Sequence, residues 1–550
     1  MAETQYEDDR AKEIINLHNV EENKMMNFRN LCQQVADLMY PSYNDITVTT
    51  TPGRDLSQDV RDPSALFALD KAAAGYIANW IPKDRLFFGI RIANRQIAEM
   101  DRTNRWCALA AQVAHDEIFA SNYMEELQQT VKCLLAFGLA NSYSEFSPVL
   151  RSLNFKNWHL STYIFKENSR GTPDCVSIKF KKTARQLCEE FNSPGQKVIE
   201  AASELKTESK QFEFIHIVRP RIKRNRWLID NLNKPYESVF VNVSEKIVVE
   251  EGGYDEQPYT ISRWEHSTDK FGRGRGMTVL SLVKELQQMH KDLLEMGNRF
   301  NRFPLEVERD NLENDEVDMS PDAKNYVRKI GAIAAINNGV TGNFPVTREI
   351  LEYFRDMVKN DGFYNDIFSQ FRSLKGDRRV TLELELRNQE GLDQLVSSVS
   401  NVESEYFTPQ LTRVVVLLLK NGRVPPPPPE VMGQDFGIEY MGKLALAAKQ
   451  YQARGFVQFS QFLTNFKDVY PEAGDIINLD RTIPDVALAF GMKAEHLNTA
   501  DEIAQMREER KAKEEMMEQI AQMQAQSEAY KNTQKSPEAG SPAAEMAGAV

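Results

Sequence analysis

The sequence predicts an α+β fold, and three observations indicate it. Residues 271–300 contain apolar side chains whose spacing alternates between four and three residues, typical of a helix that packs lengthwise on other helices. In residues 142–262, short segments of alternating apolar and polar residues are separated by Gly, Pro and Asn, as in an antiparallel sheet. A second helical stripe begins near Val346, after a polar insertion. We therefore expect a sheet-bearing lobe followed by two helices with an insertion between them.

Length and composition limit the class of protein. With 550 residues the chain is too long for one hydrophobic core, so several domains are expected. The longest apolar run, residues 414–419, is too short to cross a membrane, and the amino terminus lacks the apolar segment of a signal peptide. The five cysteines have no metal-site or redox-motif spacing, which favours a reduced, intracellular chain.

The net charge of −13 limits the way in which the protein could meet nucleic acid. Tight binding along a DNA duplex needs a basic face, because affinity comes largely from neutralising phosphates. An acidic chain is therefore a poor candidate for gripping DNA over a long footprint. A surface past which DNA slides is still compatible with this charge.

The amino-terminal part is predicted to be mainly helical. An amphipathic helix is expected over residues 9–40 and should stop at Pro41, because proline interrupts a helix. Three further helices are expected at residues 63–81, 104–121 and 125–140, with a strand at residues 86–92.

The following lobe is predicted to contain an antiparallel sheet. A helix at residues 183–191 is expected to interrupt its strands. The expected strands are residues 163–167, 176–180, 212–218, 227–230, 237–243 and 246–250.

The two central helices carry regular apolar stripes. In the first helix, which should end before Pro304, the stripe consists of Leu282, Leu286, Met289, Leu293, Met296 and Phe300. In the second, it consists of Val346, Ile350, Tyr353 and Met357. Residues 327–336, between the helices, are expected to form a small strand-bearing insertion.

Helices are also expected in the carboxy-terminal third. A long apolar helix is predicted from residue 392 to residue 420, bent at Pro409, while residues 380–386 fit either a strand or a first helical turn. The five prolines at 425–429 indicate a rigid polyproline spacer. A helical module (440–497), a charged helix (501–531) and a disordered end (534–550) should follow.

Motifs for catalysis are nearly absent from the sequence. The segment GRGRGMT, residues 272–278, lacks both the GK[ST] ending of a P-loop and the spacing of a dinucleotide-binding loop, so a turn that leads into a helix is the favoured interpretation. No zinc-protease motif or nucleophile elbow occurs, and His159, His216 and His290 are interpreted as structural. We expect no enzyme activity, no cofactor and no metal site.

Two clusters of basic residues are candidates for binding. Arg219, Arg221, Lys223, Arg224 and Arg226 lie between two predicted strands, and a solvated hairpin tip is the favoured interpretation. The second cluster lies in a loop between long helices, where contact with a phosphate backbone and a solvated connector are both open. It consists of Arg372, Lys375, Arg378 and Arg379.

An ordered series of short motifs resembles a known family, the head-to-tail connecting (portal) proteins of short-tailed double-stranded DNA bacteriophages. The resemblance extends over roughly residues 62–442. In chain order the motifs are AAAG (72–75), WIP (80–82), FF (87–88), SNY (121–123), LLAFG (134–138), TARQL (183–187), HIV (216–218), PR (220–221), Trp264, FGRG (271–274), GM (276–277), KDL (291–293), RVTLE (379–383) and the proline run (425–429).

The resemblance implies a portal-type α+β subunit made of several parts. These would be an α/β wing (1–270), a first stem helix (271–300), a small α/β clip (301–343), a second stem helix (344–365), a channel loop with a long bent wing helix (366–434), a helical crown (435–500) and a carboxy-terminal helix with a disordered tail (501–550).

The resemblance also implies an assembly and its partners. About twelve copies would form a ring at one capsid vertex of the virion, at the head–tail junction, after synthesis in the host cytoplasm. Double-stranded DNA would be packaged and ejected through the ring. The implied protein partners are the major capsid and scaffold proteins, the terminase large subunit and tail adaptor or nozzle proteins, with no membrane.

The resemblance suggests roles for individual residues. Arg372, Lys375, Arg378 and Arg379 correspond to the loop that approaches DNA. Lys284, Lys291 and Arg299 are candidates for facing the channel, although salt bridges to neighbouring copies fit them equally. The stripe of the first central helix would pack the stem.

Two other classes compete with this interpretation. A coiled-coil scaffold or adaptor without a DNA channel would also use long helices with apolar stripes. A nucleotide-driven DNA translocase is disfavoured because no Walker-type loop is present.

Overall fold

The computed structural model of the chain describes residues 2–49, 51, 53–57, 60–82, 86–98, 100–204, 207–225, 227–228, 230–301, 305–308, 310, 317, 326–329, 333–335, 344–363, 400–440, 483 and 500–533. The chain divides into two compact units, Met1–Ala445 and Leu446–Val550. Predictions for residues 364–399, 441–482, 484–499 and 534–550 lie outside the described residues.

Helices form the amino-terminal part of the first unit, as predicted. They are α1 (Ala2–Met39), α2 (Ser64–Trp80), α3 (Arg95–Ala98), α4 (Asp101–Phe119) and α5 (Tyr123–Phe137). The helix predicted over residues 125–140 is too long at its end. Gly138 adopts a left-handed φ of 76° that terminates α5, and a strand starts at Leu139.

Two antiparallel sheets follow, which confirms the predicted sheet-bearing lobe. The larger has the order β4–β5–β6–β7–β8, with β4 (Tyr163–Glu167), β5 (Pro173–Thr183), β6 (Gln211–Pro220), β7 (Tyr236–Asn242) and β8 (Ile247–Tyr254). The smaller has the order β3–β2–β9, with β2 (Leu139–Ser147), β3 (Ser152–Asn157) and β9 (Tyr259–Arg263). Its strands, and helix α7 (Gln196–Ser203), were not predicted. The predicted interrupting helix is α6 (Ala184–Glu190), which Thr183 and Gln186 cap reciprocally.

The strand predicted at residues 227–230 is wrong. Residues 227, 228 and 230 lie in an irregular turn between β6 and β7. The Asn225 side chain accepts a hydrogen bond from the Trp227 backbone N–H at 3.1 Å, and Asn233 donates to the Asp230 carboxylate at 2.6 Å. Because asparagine and aspartate side chains bond to nearby backbone, they favour a turn over a ladder.

The central helices and the insertion appear in the predicted order. They are α8 (Arg275–Thr278), α9 (Leu280–Asn301), β10 (Leu305–Val307), β11 (Ile333–Ala335), α10 (Phe344–Asp356) and a π-helical turn (Met357–Gly362). β10 and β11 pair with each other in antiparallel fashion, as expected for a strand-bearing insertion.

A second π-helical turn, Glu403–Phe407, leads into α11 (Thr408–Lys420). Pro409, at the start of α11, has no N–H to offer the Glu405 carbonyl one turn earlier, so the regular helical ladder is interrupted at the predicted position.

The proline run connects α11 to β12 (Phe436–Tyr440), which pairs with β1 (Phe88–Ile92). The Trp106 indole N–H donates to the Pro425 carbonyl at 2.9 Å, so the run is fastened to α4. Residues 436–440 were assigned to the helical crown, and that part of the assignment is wrong because they complete a two-stranded sheet.

One large core holds the first unit together. It is shared by α1, α2, α4, α5, α9 and both main sheets. Its centre contains Trp80 and Trp264, which are 1% and 0% exposed, with Tyr76 and Phe407 packed on them. This core fixes the start of α9 against the body of the unit.

In the second unit, the helix predicted at residues 501–531 is present as α12 (Ala500–Thr533). Met516, Met517 and Met523 on α12 are more than half exposed. A search of the described residues found no helix long and apolar enough to span a bilayer.

Candidate functional site: the helical hairpin and its base

Helices α9 and α10 form an antiparallel hairpin. Gly362, after α10, lies beside Val279, before α9: a Cβ on Gly362 would be 2.7 Å from Val279 Cγ1. With 22 residues, α9 is about 33 Å long. The end of the second helix is therefore packed against the start of the first, and the insertion lies at the opposite end.

Helix α10 has two apolar faces. Leu351 and Val358 are 2% and 0% exposed and, with the partly buried Phe354, belong to the core of the chain. Ile350 and Tyr353, which belong to the stripe predicted from the sequence, are 43% and 63% exposed. These two members of the predicted stripe therefore face away from the chain's own core, whereas Met357 is partly buried and the side chain of Val346 lies outside the described part. Leu351, Phe354 and Val358, each displaced by one residue from the predicted stripe, make the internal contacts.

The stripe on α9 is buried unequally. Leu286 is fully buried, whereas Leu282, Met289 and Leu293 are partly buried against the core. Met296 is also partly buried, and the side chain of Phe300 lies outside the described part. That these residues pack the stem remains a prediction.

Asp62 connects both helices of the hairpin to the start of α2. The backbone N–H groups of Arg61 and Asp62 each donate to Gln287 Oε1 of α9 at 2.8 Å, and Gln287 Nε2 donates to the Asp62 carbonyl at 2.8 Å. The Asp62 carboxylate accepts from the Ser64 N–H at 2.9 Å and from Arg355 Nε of α10 at 2.8 Å. Asp62 thus joins three helices, because its backbone bonds to α9 while its fully buried carboxylate bonds to the start of α2 and to α10.

The ionisation of Asp62 is part of this connection. Burial raises the pKa of Asp62, but hydrogen bonds from Ser64 and the Arg355 guanidinium outweigh it, so the pKa lies below its ordinary value. A carboxylate whose pKa is lowered by folding contributes stability that is present above its unfolded pKa, about 3.9, and is lost as the pH falls through the folded pKa.

We expect Asp62→Asn to lower the free energy of unfolding by about 1.5–3 kcal/mol at pH 7, because the amide loses the charge-assisted bond to Arg355. The difference from the unchanged protein should shrink as the pH falls from 5 to 2, where Asp62 itself becomes neutral. Urea titrations across this range measure both. Asp70→Asn is the control, since Asp70 is 48% exposed and pairs with Lys132 at 2.6 Å, and it should change stability by less than about 1 kcal/mol. A pH-independent difference for Asp62→Asn would contradict the assigned role.

The turn before α9 crosses the end of α5 at backbone contact. A Cβ on Gly274 would lie 2.5 Å from the Gly138 backbone nitrogen, and one on Gly276 would lie 2.6 Å from the Ala136 carbonyl oxygen. The Trp264 N–H donates to the Gly138 carbonyl at 3.0 Å. The glycines of GRGRGMT are therefore used for close packing against α5, in agreement with a turn that leads into a helix.

Arg263 fastens the start of the α11 segment to the sheets. Its Nε donates to both carboxylate oxygens of Glu405 at 3.1 Å, and its guanidinium also contacts Glu167 and donates to the Gly171 carbonyl at 3.0 Å. Arg263 is 3% exposed. These contacts hold Glu405, which follows residues 364–399 in the chain, against Arg263 of β9.

The structure separates the first basic cluster into two groups. The Arg219 guanidinium pairs with Glu237, and Arg221 pairs with Glu251 at 3.0 Å. Arg10 of α1 bonds to the same two carboxylates, at 3.2 and 2.6 Å. The exposed side chains of Lys223 and Arg224 take no part in this network, and Arg226 lies outside the described residues.

The candidate channel residues are placed as follows. Lys284 Nζ donates to Gln34 Oε1 of α1 at 2.6 Å, and Lys291 lies 3.8 Å from Glu295 on the same helix. The side chain of Arg299 is not among those described. Arg372, Lys375, Arg378 and Arg379 lie outside the described residues, so their role remains a prediction.

Two of the histidines interpreted as structural, His216 and His290, contact polar groups of the fold. His216 is stacked on Phe240 and contacts the Tyr259 hydroxyl at 2.5 Å and the Ser238 hydroxyl at 2.9 Å. Burial lowers the pKa of His216 to about 3, so its ring is neutral. His290 lies 3.6 Å from Asp62. Among the described residues, no group of three or more His, Cys, Asp or Glu side chains could hold a metal ion.

Asp62 and Arg355 were missed in the sequence, whereas Gly138 was recognised as the point near which a helix ends but not as a packing contact. Asp62 precedes Pro63 and Ser64 at a helix start, which suggests a cap, and Gly138 follows an apolar helix, which suggests a terminator. Neither signal identifies a partner more than a hundred residues away along the chain. Two of the short motifs, LLAFG and FGRG, meet at the glycine contact.

Comparisons with known proteins agree with this arrangement. A family model described as "Bacteriophage head to tail connecting protein" matches residues 11–497. The chain is similar to the portal protein of Salmonella phage epsilon15, with 24% identity over 522 residues that cover 92% of each chain. It is also similar to a probable portal protein of Bordetella phage BPP-1, with 22% identity over 503 residues and 89% of each chain. The chain therefore belongs to the bacteriophage head to tail connecting protein family.

Proposed function

We propose that this chain is the subunit of a portal, a ring of about twelve copies at one vertex of a phage capsid through which double-stranded DNA is packaged and ejected. The observation that supports it best is the outer face of α10, where Ile350 and Tyr353 are exposed. Family membership and the similarity to two portal proteins over most of their length point to the same function. The role is architectural.

The outer face of α10 fits a subunit of a closed assembly. Ile350 and Tyr353 lie one helical turn apart and are exposed on a helix whose adjacent stripe, about 100° away around the helix axis, is already packed. An apolar side chain that stays in water forgoes roughly 1.5–3 kcal/mol of burial free energy. A neighbouring copy that covers this face recovers that energy, and a head-to-tail contact repeated around an axis closes a ring.

In this proposal α9 and α10 are the stem, the β10–β11 insertion belongs to the clip, and the sheet-bearing part is the wing. The domain boundaries stated above are retained, apart from the strand at 436–440. The clip would dock the terminase large subunit and later the tail adaptor or nozzle proteins. The wing would meet the major capsid and scaffold proteins.

Electron microscopy of the purified protein tests the proposal. Rings with an axial hole are the expected result. Filaments or monomers under all assembly conditions would favour a coiled-coil scaffold or adaptor and contradict the portal. Neither the family nor the described residues offer an observation that favours the scaffold.

The channel loop gives a second test. We expect replacement of Arg372, Lys375, Arg378 and Arg379 by Ser to leave ring formation intact and to reduce DNA packaging or retention of the packaged end by at least about tenfold, because four phosphate-binding charges per copy are lost. The control exchanges each arginine for lysine and Lys375 for arginine, which keeps the charge. Packaged DNA is measured by nuclease protection. Unchanged packaging and retention in the Ser variant would exclude this role for the loop.

A further inference from the structure

The loop between β6 and β7 exposes several large apolar side chains to solvent. Residues 221–235 form this β6–β7 loop. Ile222 and Trp227 are 97% and 92% exposed, and Leu228 and Leu232 are at least half exposed. The other four tryptophans, Trp80, Trp106, Trp158 and Trp264, are buried or partly buried. Several large apolar side chains exposed on one loop are a candidate interaction surface.

The β6–β7 loop is held in shape by hydrogen bonds. The Arg221 N–H donates to the Pro235 carbonyl at 2.8 Å, which closes its base. The Asn225 N–H donates to Asn233 Oδ1 at 2.8 Å and links its two halves. A loop of fixed shape loses little conformational entropy when a partner binds.

The charges on the loop indicate what it contacts. The arginines at its base, Arg219 and Arg221, are neutralised by Glu237 and Glu251. The exposed cations beside the apolar residues, Lys223 and Arg224, have no carboxylate partner within the described residues. The loop also carries one exposed carboxylate, Asp230, which accepts a hydrogen bond from Asn233 at 2.6 Å, so the two cations leave the tip net basic and apolar on a chain whose net charge is −13.

We propose that the β6–β7 loop docks on an acidic surface of the neighbouring copy in the ring. This inference rests on the proposed ring, in which identical chains of net charge −13 meet and repel one another. A basic tip at each contact offsets that repulsion, and the apolar side chains next to it gain burial. A second copy, with its excess of carboxylates over cations, is the partner that this charge complementarity favours.

Iodide quenching of tryptophan fluorescence tests the contact directly. In dissociated subunits Trp227 is the accessible tryptophan, and we expect ring assembly to reduce the quenchable fraction by at least half. Trp227→Phe should remove most of the quenchable signal in subunits and so assign it. If Trp227 is quenched equally in subunits and rings, the loop is not covered by a neighbour.

Assembly measurements on variants provide the second readout. Lys223→Glu with Arg224→Glu, and separately Trp227→Ser with Leu228→Ser, should each raise the half-dissociation concentration of the ring at least tenfold. Val149→Ser with Leu150→Ser is the control, since these apolar residues at the β2–β3 turn are 89% and 74% exposed and lie outside the loop. The effect of the charge variant should weaken in high salt.

The results for the loop variants and for the unchanged protein test the loop contact and the portal proposal separately. Rings of unchanged stability in both loop variants would overturn the docking of the loop and leave the portal standing. An unchanged protein that forms no ring would overturn both. Loop variants that form normal rings but lose binding to a labelled DNA duplex would also overturn the docking, and would assign the loop to nucleic acid.

Discussion

Gly138→Ala is expected to destabilise the first unit by several kcal/mol. A Cβ at this position would lie 2.6 Å from the Arg273 Cα, between two stretches of backbone that have no room to separate. The left-handed φ of 76° adds about 1–2 kcal/mol of strain for a residue with a side chain. Overpacking adds about 1–3 kcal/mol.

Gly171→Ala separates these two contributions. Gly171 has the same φ of 76°, but a Cβ there would meet nothing within 4 Å. The control should therefore show only the backbone strain. Urea unfolding followed by circular dichroism measures both variants on dissociated subunits. Equal losses of stability would mean that the crossing of α5 and the GRGRGMT turn is not tightly packed.

The glycine contact explains why two distant motifs occur together in one chain. LLAFG ends α5, and FGRG precedes α8, so the two segments need small residues at the same point in space. This contact sets the direction in which α9 leaves the body of the unit. The sequence allowed each glycine to be interpreted as a local turn, whereas their mutual packing is a tertiary property.

Elements with strong apolar periodicity were predicted well from the sequence. α2 and α4 were predicted within three residues at each end, and α1 ends within one residue of its predicted stop before Pro41, although it begins seven residues earlier than predicted. The larger sheet was recognised for the same reason. The order of two helices around a strand-bearing insertion also followed from periodicity alone.

The smaller sheet was missed because β2 and β9 bury several polar residues among the apolar ones. Ser142, Ser144 and Ser262 are at most 2% exposed, and Gln410 of α11 donates to the Ser142 hydroxyl at 3.0 Å. A strand that buries hydroxyl groups shows no apolar alternation, so the usual pattern is absent. The opposite error occurred at Trp227 and Leu228, where apolar residues that look like a strand lie exposed in a turn.

The site was predicted only in part. The stripe on α10 that contains Ile350 and Tyr353 was identified from the sequence. A second stripe, which contains Leu351 and Phe354, lies one residue further along. Apolar periodicity alone does not show which of the two stripes packs in the core. The link between Asp62 and Arg355 joins residues 293 positions apart, which no local pattern reveals. Sequence patterns therefore located the hairpin, and the structure was needed to distinguish its inner face from its outer face.

Ile350→Ser with Tyr353→Ser is expected to abolish the ring while leaving the subunit folded. If each side chain contributes about 1.5 kcal/mol or more to a contact between copies, their loss weakens each contact more than a hundredfold. Mass photometry over a range of concentrations should show subunits where the unchanged protein shows rings. Urea titration should give the same free energy of unfolding within about 0.5 kcal/mol, because exposed side chains contribute little to the isolated fold.

Two controls decide whether the effect belongs to the outer face of α10. Phe67→Ser with Leu109→Ser removes apolar side chains that are 62% and 48% exposed on α2 and α4, and should leave rings intact. Leu351→Ala, on the inner face, should instead lower the free energy of unfolding by about 2–5 kcal/mol, because it leaves a cavity in the core. If the Ile350 and Tyr353 variant still forms rings at the same concentration, the outer stripe is not a contact between copies, and the strongest structural support for a closed assembly is lost.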